Sequence, residues 1–288
     1  MAEAAAMIHQ EELLFETPRQ LPDSVRDERS IMSYPFFALT KQPAHDTLVF
    51  EHRDIRLTVE PGKKGRATIY DQDLLLYAAT ILNHAVDRGA TGQVSRRLGF
   101  SGYSFLKFSG RGVGGNRYAA LRDMLYRLKT TMFTTNIETG GKRRETGFSM
   151  IDNYTIDEES GRIEIWLNEW FYDAIVKDRA VIPVSTDYFR ITNPTARKIY
   201  EVAKRHIGQE LTWAVGLINL QRRVGSQMPP HKFKKKIERI IEEDMVPEFS
   251  VSLRLAGPNE DGYGKGAHKV VFMRKREPGR APAFRGAR

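Results

Sequence analysis

The chain is 288 residues long, 41% apolar and 28% charged, a composition suited to ordinary packed cores and a length suited to two domains. It contains no cysteine, which excludes disulfide staples, thiolate nucleophiles and cysteine-based zinc or iron–sulfur centres. Forty-five Lys and Arg against 36 Asp and Glu leave a formal charge of +9, an excess that favours polyanionic partners.

The opening MAEAAAMIHQEELLF lacks the basic start and unbroken apolar stretch of a signal peptide. No run of eighteen apolar residues occurs, as a membrane span needs, so a cytoplasmic protein without membrane contact is expected. Charge is unevenly placed: residues 1–30 hold seven acids and three bases, whereas Lys269 to Arg288 hold seven bases and one acid. Residues 1–28 read as a flexible, acidic, partly helical arm, interrupted at Gln20-Leu21-Pro22-Asp23-Ser24. Residues 276–288, rich in Pro, Gly, Ala and Arg, read as a disordered basic tail.

Between arm and tail the first strands are predicted around Leu48–Phe50 and Ile55–Val59. A helix follows in YDQDLLLYAATILNHAVDRG, with Asp71 able to cap it, apolar residues at helical spacing from Leu74 to Ala85, and Gly89 placed to end it. Gly92–Leu98 and Tyr103–Phe108 are predicted as short helices. A glycine-rich joint at 110–115 leads into NRYAALRDMLYRLKTT, where Asn116 is a candidate cap and Tyr118, Leu121, Met124, Leu125 and Leu128 form the inward stripe. The period then changes: Met132–Glu138 reads as a strand, residues 139–144 as a turn, Thr146–Ile156 as the returning strand and Gly161–Leu167 as another. Helices followed by a basic-tipped hairpin are the pattern of a winged helix.

The pattern recurs. Asn193 and Pro194 open a helix, Leu211–Leu220 is predicted as another, and MPPHKFKKKIERIIEEDM as a third, with Phe233, Ile237, Ile240 and Ile241 inward. Strands at 249–255 and 268–274 follow. The predicted fold is therefore α+β, with two tandem winged-helix domains at residues 29–168 and 169–275.

Two surfaces suit a polyanion. A helix fits the DNA major groove, and Asn116, Arg117, Arg122 and Arg127 on one helix, with Lys142, Arg143 and Arg144 at the wing tip, can contact bases or phosphates. Lys232, Lys235, Lys236 and Arg239 share one face of the last helix, opposite its apolar residues, and Arg222 and Arg223 can widen that stripe. Few arginines among the lysines suggest phosphate attraction more than guanine reading. The competing reading of both surfaces is bland: solvated helix faces and a basic turn.

Other chemistry finds little support. RGVGGN at 111–116 has neither the P-loop nor the dinucleotide-binding order of residues. The seven histidines form no metal-ligand array, no paired-histidine motif accompanies the tyrosines as a nicking nuclease needs, and no nucleophile–base arrangement stands out. Trp166, Trp170 and Trp213 sit in apolar periodic contexts and read as core. No catalytic residue, cofactor or metal is expected.

Several phrases carry a resemblance: RSIMSYPFFALTK at 29–41, YDQDLLLYAATIL at 70–82, GVGGNRYAALRDMLYRLKTTMFTTNIETGG at 112–141, MIDNYTI at 150–156 and IEIWLNEWFYDAI at 163–175. In this order they resemble the replication initiator protein A family of plasmid initiators, over residues 29–275. The resemblance implies two winged-helix domains, with helix 116–129 and wing 142–144 on one DNA surface and helix 230–242 on the other. It also implies binding to double-stranded origin repeats (iterons), opening of an adjacent AT-rich tract, and recruitment of the host replicative helicase and initiation proteins. Repression as a homodimer and initiation as a monomer belong to the same picture. It brings no catalytic residues. Two alternatives stand beside it: a transcriptional or copy-control repressor on the same modules, and a non-catalytic protein-interaction scaffold.

Overall fold

The computed structural model describes residues 14–16, 24–89, 94–141, 143–257 and 267–275. The first half runs β1 (Phe15–Glu16), β2 (Val25–Glu28), α1 (Arg29–Ser33), β3 (Leu48–His52), β4 (Ile55–Glu60), α2 (Asp73–Asp87), β5 (Arg97–Ser101), α3 (Gly102–Phe108) and α4 (Gly115–Thr130). It continues through β6 (Met132–Thr135), β7 (Thr146–Phe148), β8 (Ile151–Ile156), β9 (Arg162–Leu167) and α5 (Glu169–Val176). The second half runs β10 (Val181–Val184), a 3-10 helix (Thr186–Arg190), α6 (Pro194–Ile207), β11 (Thr212–Gly216), α7 (Leu217–Arg223), α8 (Pro230–Glu242), β12 (Phe249–Leu255) and β13 (His268–Arg274). The class is α+β, as the sequence predicts.

One order of elements occurs twice. In the first half α2, β5, α3, α4, β8 and β9 follow in this order, with β6 and β7 inserted before β8 and the last strand in the middle of the order β5-β9-β8. In the second half α6, β11, α7, α8, β12 and β13 do the same, with order β11-β13-β12. The central helix of each unit follows its sequence pattern. α2 is apolar almost all round and buries Leu74, Leu75, Tyr77, Ala78, Ile81 and Leu82 completely or nearly so. α6 begins where Asn193 accepts hydrogen bonds from the N–H of Thr195 and Ala196 at 3.0 and 3.2 Å, with Pro194 in the first turn.

The repeat uses a different hairpin from the one the sequence predicts. The turn after β6 belongs to a separate sheet, β3-β4-β6-β7, inserted between α4 and β8. The hairpin that matches β12–β13 is β8–β9, and its tip, Asp157-Glu158-Glu159, is acidic. The single strand predicted for 146–156 is split because Phe148, Met150 and Ile151 are all buried. Strict alternation cannot bury adjacent residues, so the chain changes sheets between them.

Three further expectations change. Arg97–Ser101 is a strand, not the end of a helix, held between β1 and β9; residues 92–93 lie outside the described ones. The helix predicted for 211–220 is a strand followed by α7: Val215 is buried and Trp213 half-buried while Thr212 and Ala214 are exposed, a period of two. Asp71 does not cap α2, whose first residue is Asp73.

The boundary between halves also departs from the expected one. α5, expected to open the second domain, buries Trp170, Phe171, Ile175 and Val176 in the first core. Val25–Glu28, expected to end a free arm, pairs antiparallel with Val181–Val184, and the buried Glu28 side chain caps α1. Residues 1–13, 17–23 and the tail 276–288 lie outside the described ones. The two cores meet along α2: Leu76 and Met32 belong to the second core, and Leu39 and Phe108 touch both.

Candidate nucleic-acid interface

α8 carries the stronger surface. Phe233, Ile237 and Ile240 are buried to within 1%, which fixes the helix rotation and turns Lys232, Lys235 and Arg239 to solvent. Lys236 is half-buried, and burial followed by the Arg239 charge lowers its pKa. Arg239 donates to Glu243 at 2.5 Å one turn on, and Lys234 lies 3.6 Å from Glu238. Lys232 and Lys235 have no ion-pair partner among the described residues. Arg222 is exposed at the end of α7. Arg223 is half-buried and lies 3.1 Å from Nε2 of His206, whose ring stacks on Trp213 at 4.8 Å. Burial, then Arg223, pushes the His206 pKa down to about 4, so this imidazole is neutral near pH 7.

α4 is more divided than its sequence suggests. Its N-cap is Gly114, without a side-chain capping bond, and Asn116 lies inside the first turn, exposed. Leu121, Met124, Leu125 and Leu128 are buried as expected. Tyr118 is 37% exposed and lies over Gly102, where an added Cβ would meet its ring at 2.8 Å. Arg117 is exposed. Arg122, also exposed, donates to Glu158 of the acidic hairpin at 2.9 Å. Arg127 turns inward: its Nε and Nη2 donate to the two oxygens of buried Asp71, each at 2.7 Å. Asp71 also accepts from the N–H of Thr68 at 2.7 Å. This guanidinium is committed to Asp71 inside the protein.

The predicted wing residues scatter. Arg143 is exposed and donates to Asp54 at the β3–β4 turn at 2.5 Å. Arg144 lines a cavity with Asp173 of α5 and Lys177 just after it. Lys142 lies outside the described residues.

The fold does bring together cations that are far apart in sequence. The charges of Arg53, Arg222 and Arg223 all act on His52, whose pKa burial and they lower. Burial raises the Tyr34 pKa, and Arg223, Arg205, the acid Asp54 and Arg143 all act on it. A Cβ added at Gly225, after α7, would meet Pro35 at 2.4 Å, so the turn after α7 sits directly on the first half. A basic patch from both halves results.

The model of the family described as "Replication initiator protein A" matches residues 26–251. The chain belongs to this family. A curated relative from Wigglesworthia glossinidia brevipalpis, named "Putative replication protein", is 30% identical over 239 residues, covering 81% of this chain and 86% of the relative. Among solved structures, domains 2 and 3 of RctB share 12% identity with a TM-score of 0.54, over 86% of this chain and 99% of that one. That likeness concerns the fold alone.

For this initiator-family chain, sequence reading missed Arg53 and Arg205. Arg53 stands alone in a turn, and the basic end of α6 that holds Arg205 gives no sign that it faces the first half, so tertiary proximity reveals both. Among the described residues no three His, Asp or Glu are grouped to hold a metal ion, and no helix is long and apolar enough to cross a membrane.

Proposed function

We propose that this chain is a cytoplasmic plasmid replication initiator that grips double-stranded origin repeats with two winged-helix modules. One observation carries the reading: the twice-used order helix, strand, helix, helix, hairpin places α8 as the third helix of its unit, apolar side in and Lys232, Lys235 and Arg239 out. In a winged helix that element enters the major groove. The patch around Arg222 and Arg223 lies at the end of the preceding helix, where backbone phosphates fit. By the same topology α4 is the first module's groove helix. Arg117 and Asn116 at its exposed start are its contacts, and the acidic 157–159 tip is a poor partner for phosphate.

The chemistry is binding and deformation of DNA, with no catalytic step. Contacts by two modules on one duplex repay bending and local unstacking, which opens an adjacent AT-rich tract for the host helicase. A dimeric form repressing its own gene fits the same surface. Footprinting the chain on its surrounding replicon tests the reading, together with supplying the gene in trans to an origin-only plasmid. Protection of adjoining direct repeats and recovery of replication are expected. Absence of selective duplex binding at moderate salt overturns it, and protection with repression but no replication makes the chain a repressor.

A further inference from the structure

A cleft of about 420 Å³ opens at the seam between the two halves, beside the start of α4. Lys41, Tyr70, Arg111 and Arg117 line it from the first half, Thr192 and Arg197 from the second. No acidic side chain lines it. Behind the wall, Asp73 accepts from Nη2 of Arg111 and Nη1 of Arg197, each at 2.7 Å. One carboxylate therefore serves two guanidiniums, while Lys41 and Arg117 have no ion-pair partner among the described residues. Four cations face one recessed anion, and the uncompensated charge points into the cavity.

The site is also rigid. Arg197 lies between the rings of Tyr70 and Tyr188, 4.6 and 4.8 Å from their centroids, and its Nε donates to the carbonyl of Ile191 at 2.8 Å. Arg111 donates to the Tyr70 carbonyl at 2.7 Å. The adjoining loop leaves room for a ligand: Cβ atoms added at Gly110 and Gly112 would meet nothing within 4 Å. Fixed, largely enclosed guanidiniums act on an anion more strongly than mobile surface lysines do, because they need little reorganisation and less of their field is screened. The planar fork of Arg117, without an ion-pair partner among the described residues, suits the tetrahedral oxygens of phosphate.

We propose that this cleft is a phosphate subsite that ties the two modules together, with Lys41 and Arg117 making the direct charge contacts and Arg111 and Arg197 supplying the field behind them. Phosphate reaches such a cleft from two sources, the backbone of a bound duplex or a free phosphate compound. The position of Arg117 on the first module's groove helix favours the duplex, an assignment that rests on the reading in the preceding subsection.

The test uses the full chain and the double variant Lys41→Gln/Arg117→Gln, both sites being exposed and outside the cores. Duplex affinity is measured from roughly 50 to 300 mM salt, with Lys235→Gln as a variant of the other surface. Melting is followed with inorganic phosphate and with ATP at constant ionic strength. If the source is DNA, the double variant loses about tenfold in affinity and its log–log salt slope becomes shallower by about one. If the source is a free compound, phosphate or ATP raises the melting temperature of the parent and not of the variant. Unchanged affinity and slope, with equal melting responses in both chains, overturns the subsite. A parent that binds no origin duplex overturns the initiator reading instead, and the melting arm still decides the cleft.

Discussion

Arg197 of α6 and Asp73 of α2 meet at 2.7 Å across the seam, with side chains 4% and 1% exposed. These two helices hold the same place in the two repeats, and this pair links them while α6 packs on α1. Other polar groups continue the seam. Lys198 donates to Glu201 at 2.9 Å and to the carbonyl of Met32 at 3.3 Å, Tyr188 donates to Glu201 at 2.6 Å, and Gln72 donates to Asp27 at 2.8 Å. A buried network of this kind is specific about geometry, since any slip strands charges away from water.

The two partners are not equivalent. Asp73→Ala strands two guanidiniums, and breaking a buried pair costs about 3–5 kcal/mol. Arg197→Ala leaves Asp73 still paired with Arg111 and should cost less. Urea unfolding of the two variants checks this; equal losses would mean that Arg111 contributes little to holding the carboxylate.

Arg127 should separate stability from binding. Its bidentate bond to Asp71 is almost enclosed, with side chains 14% and 2% exposed, so Arg127→Ala should lower unfolding free energy by about 3 kcal/mol. Duplex affinity of the folded variant should stay within about twofold of the parent. Arg122→Ala, whose pair with Glu158 is open to water, should barely move stability. A large affinity loss for Arg127→Ala with normal stability would return that residue to the DNA surface.

These residues show how far sequence alone reaches. The inward stripe of α4 was legible because Leu121, Met124, Leu125 and Leu128 recur at helical spacing, and the cationic face of α8 because its charges lie within one helix. Arg127 shows the limit: helical spacing does not reveal that Asp71, 56 residues away, fills its guanidinium. The first hairpin was misplaced for a related reason. Its basic turn at 142–144 looks like a wing, but pairing of β6 with β4 is a long-range choice that local alternation cannot report. The seam cleft was invisible because Lys41, Arg111 and Arg197 come from three distant segments.

Glu28 should make stability depend on pH. Burial pushes its pKa up to about 7, although the N–H groups of Ser30 and Ile31 donate to it at 2.8 and 2.7 Å. Burial, and then the charge of Glu201, pushes up neighbouring Asp27 as well. A carboxyl with a folded pKa above its unfolded one holds its proton more tightly in the native state. Between the ordinary 4.5 and about 7 the folded chain therefore carries more protons, and this contribution to stability falls as pH rises. The shift corresponds to about 3 kcal/mol. Urea midpoints from about pH 5 to 8 should show Glu28→Gln gaining on the parent as pH rises. A constant difference between the two chains across that window would refute the assignment.

The four cations of α8 should contribute unequally to DNA binding. Replacing Lys232, Lys235, Lys236 and Arg239 together by Gln should make the log–log salt slope shallower by about three to four, since each phosphate contact contributes about 0.9. Singly, Lys232→Gln and Lys235→Gln should have the larger effects, because neither charge is shared with an acid among the described residues. Arg239→Gln should have a smaller one, because Glu243 already sits 2.5 Å from its guanidinium and a phosphate must displace that carboxylate. The same competition gives the converse: Glu243→Gln frees Arg239 and removes a negative charge from the groove side, so duplex affinity should rise about two- to threefold at low salt and the gain should fade as salt screens it. Loss of affinity in Glu243→Gln would show that the Arg239–Glu243 pair positions the helix for DNA and does not compete with it.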